Sequence, residues 1–285
     1  MYEQTEGTIL AGYSVLDLTD AKGKFGARLL ADMGAEVVCL NPAEDDVRNS
    51  VKTADILIES ASPGYMASLG LDYADLCKVN PGLIMVSITP FGQSGPYQDY
   101  KGSDLTLQAL GGWLSVTGEP KMPLKLYGNQ AYHTASLFAS NGILLALWQR
   151  HVTGKGQYID VSIMECVAAT LDHVLVRYFY EGIVSGRQGS RHWNSAFNIF
   201  RCRDGYILIS LHQQWETLVE WLVSEGMAED LTEESWQDRE ERNRGIDHII
   251  EVLGRWTLTH KVGELVEKGQ LMHFPWAGVV SVKNE

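Results

Sequence analysis

Residues 81–118 read PGLIMVSITPFGQSGPYQDYKGSDLTLQALGGWLSVTG. The run opens with LIMVSI (83–88), an apolar stretch of strand length. Upstream, Asp72 stands where it can cap a helix carrying Leu76, and Pro81 lies just beyond that helix. Three more short apolar runs come earlier: ADILIES (54–60), EVVCL (36–40) and YSVLDL (13–18). GKFGARLLADMG (23–34) separates the first two strands, with Phe25, Leu29, Leu30 and Met33 at helical spacing and Gly34 placed to end the helix. Apolar strands alternating with helices predict a parallel sheet covered on both faces, a doubly wound, Rossmann-like large domain.

Downstream, Asp104 in GSDL marks a helix start, where an acid serves as a cap or complements the helix dipole. Two longer helical patterns follow, from Tyr132 to Arg150 and from Ile163 to Tyr180. Between them, TGKGQYIDVS (153–162) reads as a turn into a short strand, since its GKG lacks the spacing of a phosphate loop. From about Ser190 the texture changes. FNIFRCRDGYILISL (197–211) is a hairpin turning at Asp204-Gly205. The helical stretches QQWETLVEWLVSEG, RGIDHIIEVLGRWTL and HKVGELVEKGQ follow, the last opened by Thr259, and the charged segment Met227–Arg244 reads as a solvated connection. The expected organisation is a Rossmann-like domain over 1–190 and a smaller α+β domain over 191–285.

Composition narrows the function classes. Of 285 residues, 45% are apolar and eight are Trp, ample for a packed core, while the net charge of −13 argues against nucleic acid and anionic membranes. The N-terminal MYEQTEGTIL lacks the features of a secretory leader, and no run reaches membrane-span length. Cys39, Cys77, Cys166 and Cys202 are widely spaced and read as buried free thiols of a cytoplasmic protein. The eight His show no metal-ligand spacing, and no metal is expected. His151 and His192 read as surface or hydrogen-bonding residues. FGQSGP is not a nucleophile elbow. Gly23 and Gly26, opening a helix after the first strand, form part of a dinucleotide fingerprint and offer free N–H groups to an anion.

In combination, SPGYMASLGLDYADL, NPGLIMVSITPFGQSGP, SDLTLQALGGWLSVTG, TGKGQYIDVSI, RDGYILISLHQQW and WTLTHKVGELVEKGQ resemble the family III CoA-transferases, the group of formyl-CoA and carnitine CoA-transferases with the α-methylacyl-CoA racemases as relatives. The resemblance implies that family's fold and a transfer of CoA between an acyl-CoA and a carboxylic acid, with coenzyme A as substrate and no permanently bound cofactor. It implies a carboxylate nucleophile that passes through a mixed anhydride and an enzyme-bound thioester. It also implies that the loop after the first strand contacts CoA, which here is Asp20, Ala21, Lys22 and Gly23.

Counting back from Gly142, the family's aspartate position falls among Gln130, Ala131, Tyr132 and His133. None is acidic, and no Asp or Glu occurs between Glu119 and Asp160. The histidine of the racemase branch is replaced by Ser103. The resemblance also implies a CoA-binding segment between the second and third strands and a C-terminal return segment, and neither is found among these 285 residues. The family implies a homo- or heterodimer with a homologous subunit, and the first reading is the aspartate-lacking subunit of a heteromeric CoA-transferase, of the benzylsuccinate CoA-transferase type. The others are a non-catalytic binding protein of the same fold and an enzyme using His133 or Gln130 instead.

Overall fold

The computed structural model describes residues 8–43 and 46–280. Most of the N-terminal stretch read for a leader, and the end of the chain at 281–285, lie outside them. The chain divides into two compact units. The first comprises Met1–Thr117 and Pro123–Ser185, and the second Gly118–Met122 and Gly186–Glu285.

In the first unit, β1 (Ser14–Leu18), β2 (Glu36–Cys39), β3 (Ile56–Glu59), β4 (Ile84–Thr89) and β5 (Tyr158–Ser162) form one parallel sheet in the order β2-β1-β3-β4-β5. Side chains alternate across a strand, and here they feed two separate cores. Val15, Ile56, Ile58, Ile84, Val86 and Ile88 face a core shared with α1 (Lys24–Asp32), α3 (Asp104–Leu110), α4 (Gln130–Thr153) and α5 (Ile163–Ala169). Leu16, Leu18, Leu57 and Met85 face the other core, with Val47, Met66, Leu71 and the Leu76 of α2 (Tyr73–Val79). Both faces of β3 and β4 are buried, which is why those strands are apolar without alternation.

Small residues bring α1 and α4 close together. The buried face of α1 is Gly26, Ala27, Leu30 and Ala31, while Phe25, Leu29 and Met33 of the expected apolar stripe are only half-buried. A Cβ on Gly26 would sit 3.5 Å from that of Ser136 on α4. The GKG turn is structural. Gly154 ends α4 in left-handed backbone (φ 69°), and a Cβ on Gly156 would overlap the Leu83 carbonyl oxygen at 1.8 Å.

The expected continuous helix from Ile163 to Tyr180 is instead two, α5 and α6 (Asp172–Glu181). The break falls at Thr170, whose hydroxyl donates to the Val167 carbonyl at 2.7 Å and accepts the Trp113 indole N–H at 2.8 Å. Apolar periodicity runs unbroken through this point and gives no warning of it.

In the second unit, β6 (Phe197–Arg201), β7 (Tyr206–Ser210) and β8 (Ala277–Gly278) form an antiparallel sheet in the order β8-β7-β6. With α7 (Trp215–Ser224), α8 (Ile246–Thr257) and α9 (Val262–Leu271) it encloses a Trp-rich core. Trp221 stacks on Trp276 at 5.7 Å and meets Trp256 edge-on at 5.0 Å. Glu225 accepts both the Trp221 and Trp256 indole N–H groups, at 2.8 and 2.7 Å.

Two local expectations fail in this unit. The segment from Met227 to Arg244 is more than a solvated connection, because Ala228 and Leu231 enter the core and Arg242 is buried. Thr259 does not open α9. Its hydroxyl bonds the Trp256 carbonyl, while Asp204 accepts the Val262 N–H at 2.8 Å and Glu264 that of Lys261 at 3.1 Å.

Candidate functional site

The sheet order reverses at β1 and β3, and in open parallel sheets of this order ligands bind at the carboxyl ends of the strands beside that switch point. Three groups of residues meet there in the first unit.

The first is the loop after β1. The buried Asp17, next to last in the strand, accepts the Thr19 N–H at 2.9 Å, the Thr19 hydroxyl at 2.6 Å and the Lys24 ammonium at 2.8 Å. Asp20 is tied to the loop after β3: its N–H donates to the Ser60 hydroxyl at 2.9 Å, which donates in turn to the Asp20 carboxylate at 2.9 Å. Lys22 closes on the same carboxylate through its N–H and its ammonium. Burial alone would raise the Asp20 carboxyl. The hydrogen bonds from Lys22 and Ser60 and the Lys22 charge outweigh it and hold the group below its ordinary value. The Lys22 charge is thus already balanced within the loop. Gly23, the residue before α1, makes no side-chain cap, so the first amides of that nine-residue helix have no side-chain acceptor at its N-cap. A Cβ on Gly23 would strike Thr19 at 2.5 Å, so packing as well as access requires glycine.

The second group is the first turn of α4. Gln130 donates from its amide to the Tyr127 carbonyl at 3.1 Å, and the His133 ring lies 4.7 Å from that of Phe25 on α1. Burial raises the Tyr132 hydroxyl, and the Asp104 and Asp20 charges add to that. The fold therefore brings together the two sets of positions that the sequence singled out, Asp20–Gly23 and Gln130–His133. What the sequence did not show is that a carboxylate reaches this turn from elsewhere. Ser103, not Asp104, caps α3. Asp104, 6% exposed, accepts the Ala131 N–H at 2.9 Å, the Gln108 amide at 2.6 Å and the Lys125 ammonium at 3.0 Å.

The third group was missed altogether. Glu59, 1% exposed at the end of β3, accepts the Ala61 N–H at 2.6 Å. It borders a cavity of about 350 Å³ with Tyr73, Met85, Ser87, Gln93 and Tyr158. Tyr158 donates its hydroxyl to Ser87 at 2.9 Å and stacks on Tyr73 at 5.7 Å. Burial is the main cause that raises the Glu59 carboxyl; hydrogen bonds from Ser87 and Ala61 oppose it, and the Asp160 charge adds to it. An acid terminating the apolar run ILIE was the only available signal. Among the described residues, no group of three or more His, Cys, Asp or Glu is placed to hold a metal ion, and no helix is long and apolar enough to cross a membrane.

Of the four cysteines, all free, Cys166 and Cys202 are buried as expected, but Cys39 at the end of the edge strand β2 is exposed. An edge strand has one open side, which its apolar sequence does not disclose.

The sequence profile of CoA-transferase family III matches residues 47–284. The chain belongs to this family. It is 31% identical to the succinyl-CoA:(R)-benzylsuccinate CoA-transferase subunit BbsE of Thauera aromatica, over 93% of this chain and 77% of that one. The aligned length, 317 positions, exceeds the 285 residues of this chain, so the relative carries residues within the matched span that this family III chain lacks. It is 32% identical to the acetyl-CoA:oxalate CoA-transferase of Acetobacter aceti over 68% of this chain, and there it spans 61% of the relative's length. A crystal structure of a CAIB/BAIF family protein from Brucella suis superposes with a TM-score of 0.86 at 26% identity, covering 96% of this chain and 85% of that one.

Proposed function

We propose that this chain is a subunit of a family III CoA-transferase, moving coenzyme A between an acyl-CoA and a carboxylic acid, and that a homologous partner subunit supplies the nucleophilic aspartate. The observation that carries this reading is the first turn of α4. Gln130, Ala131, Tyr132 and His133 bear no carboxylate, and the one that reaches their backbone, Asp104, is buried and held by three donors. Covalent CoA transfer needs a carboxylate free to attack a thioester carbonyl and then to be released from an anhydride. A carboxylate whose lone pairs cap a helix and pair a lysine is a structural group. Glutamine at this turn forms no anhydride.

Acyl-CoA is assigned to the crevice at β1 and β3. The backbone of Asp20–Gly23 and the positive end of α1 suit its anionic groups. The Glu59 cavity, within the size range of small-molecule sites, suits an uncharged portion, because burial pushes the Glu59 carboxyl towards its neutral form.

Co-expression with an aspartate-bearing homologue tests the reading. The complex is expected to exchange CoA between succinyl-CoA and an acceptor acid. The chain alone is expected to give no turnover and no hydroxylamine-trapped acyl adduct. Turnover by the chain without a partner sinks the proposal. Failure of acyl-CoA to bind by calorimetry, alone or in a complex, leaves the fold as a scaffold.

A further inference from the structure

The second unit holds a set of buried hydrogen-bonding groups that CoA transfer does not use. His212 follows β7, and both of its ring nitrogens are buried without a partner. Trp215 opens α7 at 5% exposure, and its indole N–H is also unpaired. Arg242, 8% exposed, sets its guanidinium carbon 5.1 Å from the centroid of the Trp215 ring. Its Nη1 donates to the carbonyls of Trp236 at 2.7 Å and Gln237 at 2.9 Å, while its Nε–H has no acceptor. The N-terminus of α7 adds to the same side of the balance. Its N-cap, Gln214, stands in left-handed backbone (φ 49°) and makes no side-chain cap.

The charge around these groups is positive. Burial, then the charges of Arg239 and Arg242, hold the His212 imidazole below its ordinary value. Two acids stand nearby. Asp238 acts on Arg242, but its carboxylate already accepts the Glu240 N–H at 2.7 Å. Glu216, in the first turn of α7, is exposed to solvent.

Folded proteins leave few buried polar groups unpaired, and each such group asks for an explanation. Indole N–H and guanidinium N–H groups can only donate, and the single acceptor nitrogen of a neutral His212 can satisfy at most one of them. A group with several acceptor lone pairs and a negative charge can satisfy them together, and the planar fork of arginine matches carboxylate and phosphate oxygens alike. We propose that His212, Trp215 and Arg242, with Arg239 at the rim, form an oxyanion-binding site in the second unit. The inference is independent of the transferase reading, because it rests on donors and charge alone.

Calorimetric titration of the full chain at low ionic strength, with succinate in one series and inorganic phosphate in another, tests it. One-to-one saturable binding of either anion is expected, and the tighter of the two identifies whether a carboxylate or a phosphate group is the natural ligand. Trp215→Phe removes the N–H and keeps most of the ring, and is expected to weaken binding about fivefold. His212→Gln is expected to weaken it about tenfold, as loss of a hydrogen bond to a charged group does. Circular dichroism checks that both variants fold. In the wild type, the ¹⁵N resonances of the His212 ring are expected to move on saturation. Failure of both anions to saturate the wild type overturns the proposal, as does unchanged affinity in two folded variants.

Discussion

Two buried polar clusters in this protein differ in one respect. Around Asp104 every strong hydrogen-bonding atom has a partner: three donors converge on one carboxylate and join α3, α4 and Lys125. Around His212 the ring nitrogens, the Trp215 indole N–H and the Arg242 Nε–H are equally buried and have no partner, although the Arg242 Nη1 is paired. Satisfaction marks Asp104 as part of the scaffold, although its carboxylate reaches the turn where the family's acid would stand. Its absence marks His212, Trp215 and Arg242 as groups kept for something outside the fold. A buried charge by itself does not distinguish the two roles; the list of its partners does.

Stability measurements can break this contrast. Asp104→Ala strands the Ala131 N–H, the Gln108 amide and the Lys125 ammonium, and is expected to cost about 3 kcal/mol in urea unfolding. Asp104→Asn retains an acceptor for Ala131 and is expected to cost less than half of that. Equal losses would mean that the carboxylate is not acting as a cap. A matched pair of Trp→Phe substitutions sharpens the comparison further. Trp113, 9% exposed, donates its indole N–H to Thr170 at 2.8 Å, whereas Trp215, 5% exposed, donates to nothing. Trp113→Phe is expected to destabilise its unit by about 1 kcal/mol more than Trp215→Phe destabilises the other, read from hydrogen exchange in each unit. A larger loss at Trp215 would show that its N–H is paired in solution.

Glu59 lies between the two cases, partnered yet pushed towards its neutral form by burial. The folded protein holds this proton to higher pH than the unfolded chain does. The stability it contributes is therefore complete at low pH, and falls as pH rises from the unfolded carboxyl value through the folded one. Glu59→Gln keeps the side chain neutral. It is expected to flatten that fall, matching the wild type in acid and exceeding its Tm above the window, as thermal melts across about pH 4 to 8 would read. A variant that matches the wild type in acid but melts lower above the window would show that Glu59 is ionised in the fold. The smallest perturbation is chemical. A thiol reagent at mildly alkaline pH is expected to modify the exposed Cys39 in the native protein. Burial pushes the Cys166 thiol up to about 12 and that of Cys202 to about 11, so both should stay unmodified until denaturant is added.

The central strands were legible because both of their faces are buried: ILIE and IMVSIT have no polar alternation to confuse with an amphipathic helix. The Asp72 cap and the Asp204-Gly205 hairpin were legible because their determinants are neighbours in sequence. Caps formed at a distance were not. Asp104 serves a helix starting 26 residues later by bonding Ala131, and Asp204 serves α9 by bonding Val262. Local capping rules search three or four residues and stop there. The site was half-legible for the same reason. Asp20–Gly23 and Gln130–His133 could be named separately, but their meeting depends on Gly26 and Ser136 letting two helices approach. The orphaned donors at His212 had no sequence signal, since pairing is a property of the folded state.

The path of the chain between its units limits how this protein can be cut and recombined. The chain leaves the first unit at Thr117 and returns at Pro123. Its short excursion is fastened to the second unit: Gly189 N–H donates to the Gly118 carbonyl at 3.0 Å, and Arg187 donates to the carbonyls of Glu119 and Pro120. A single gene breakpoint near residue 186 would therefore transmit the second unit without part of itself. The remaining fragment would carry an orphaned loop. Exchanging either unit with a relative therefore requires at least three junctions rather than one.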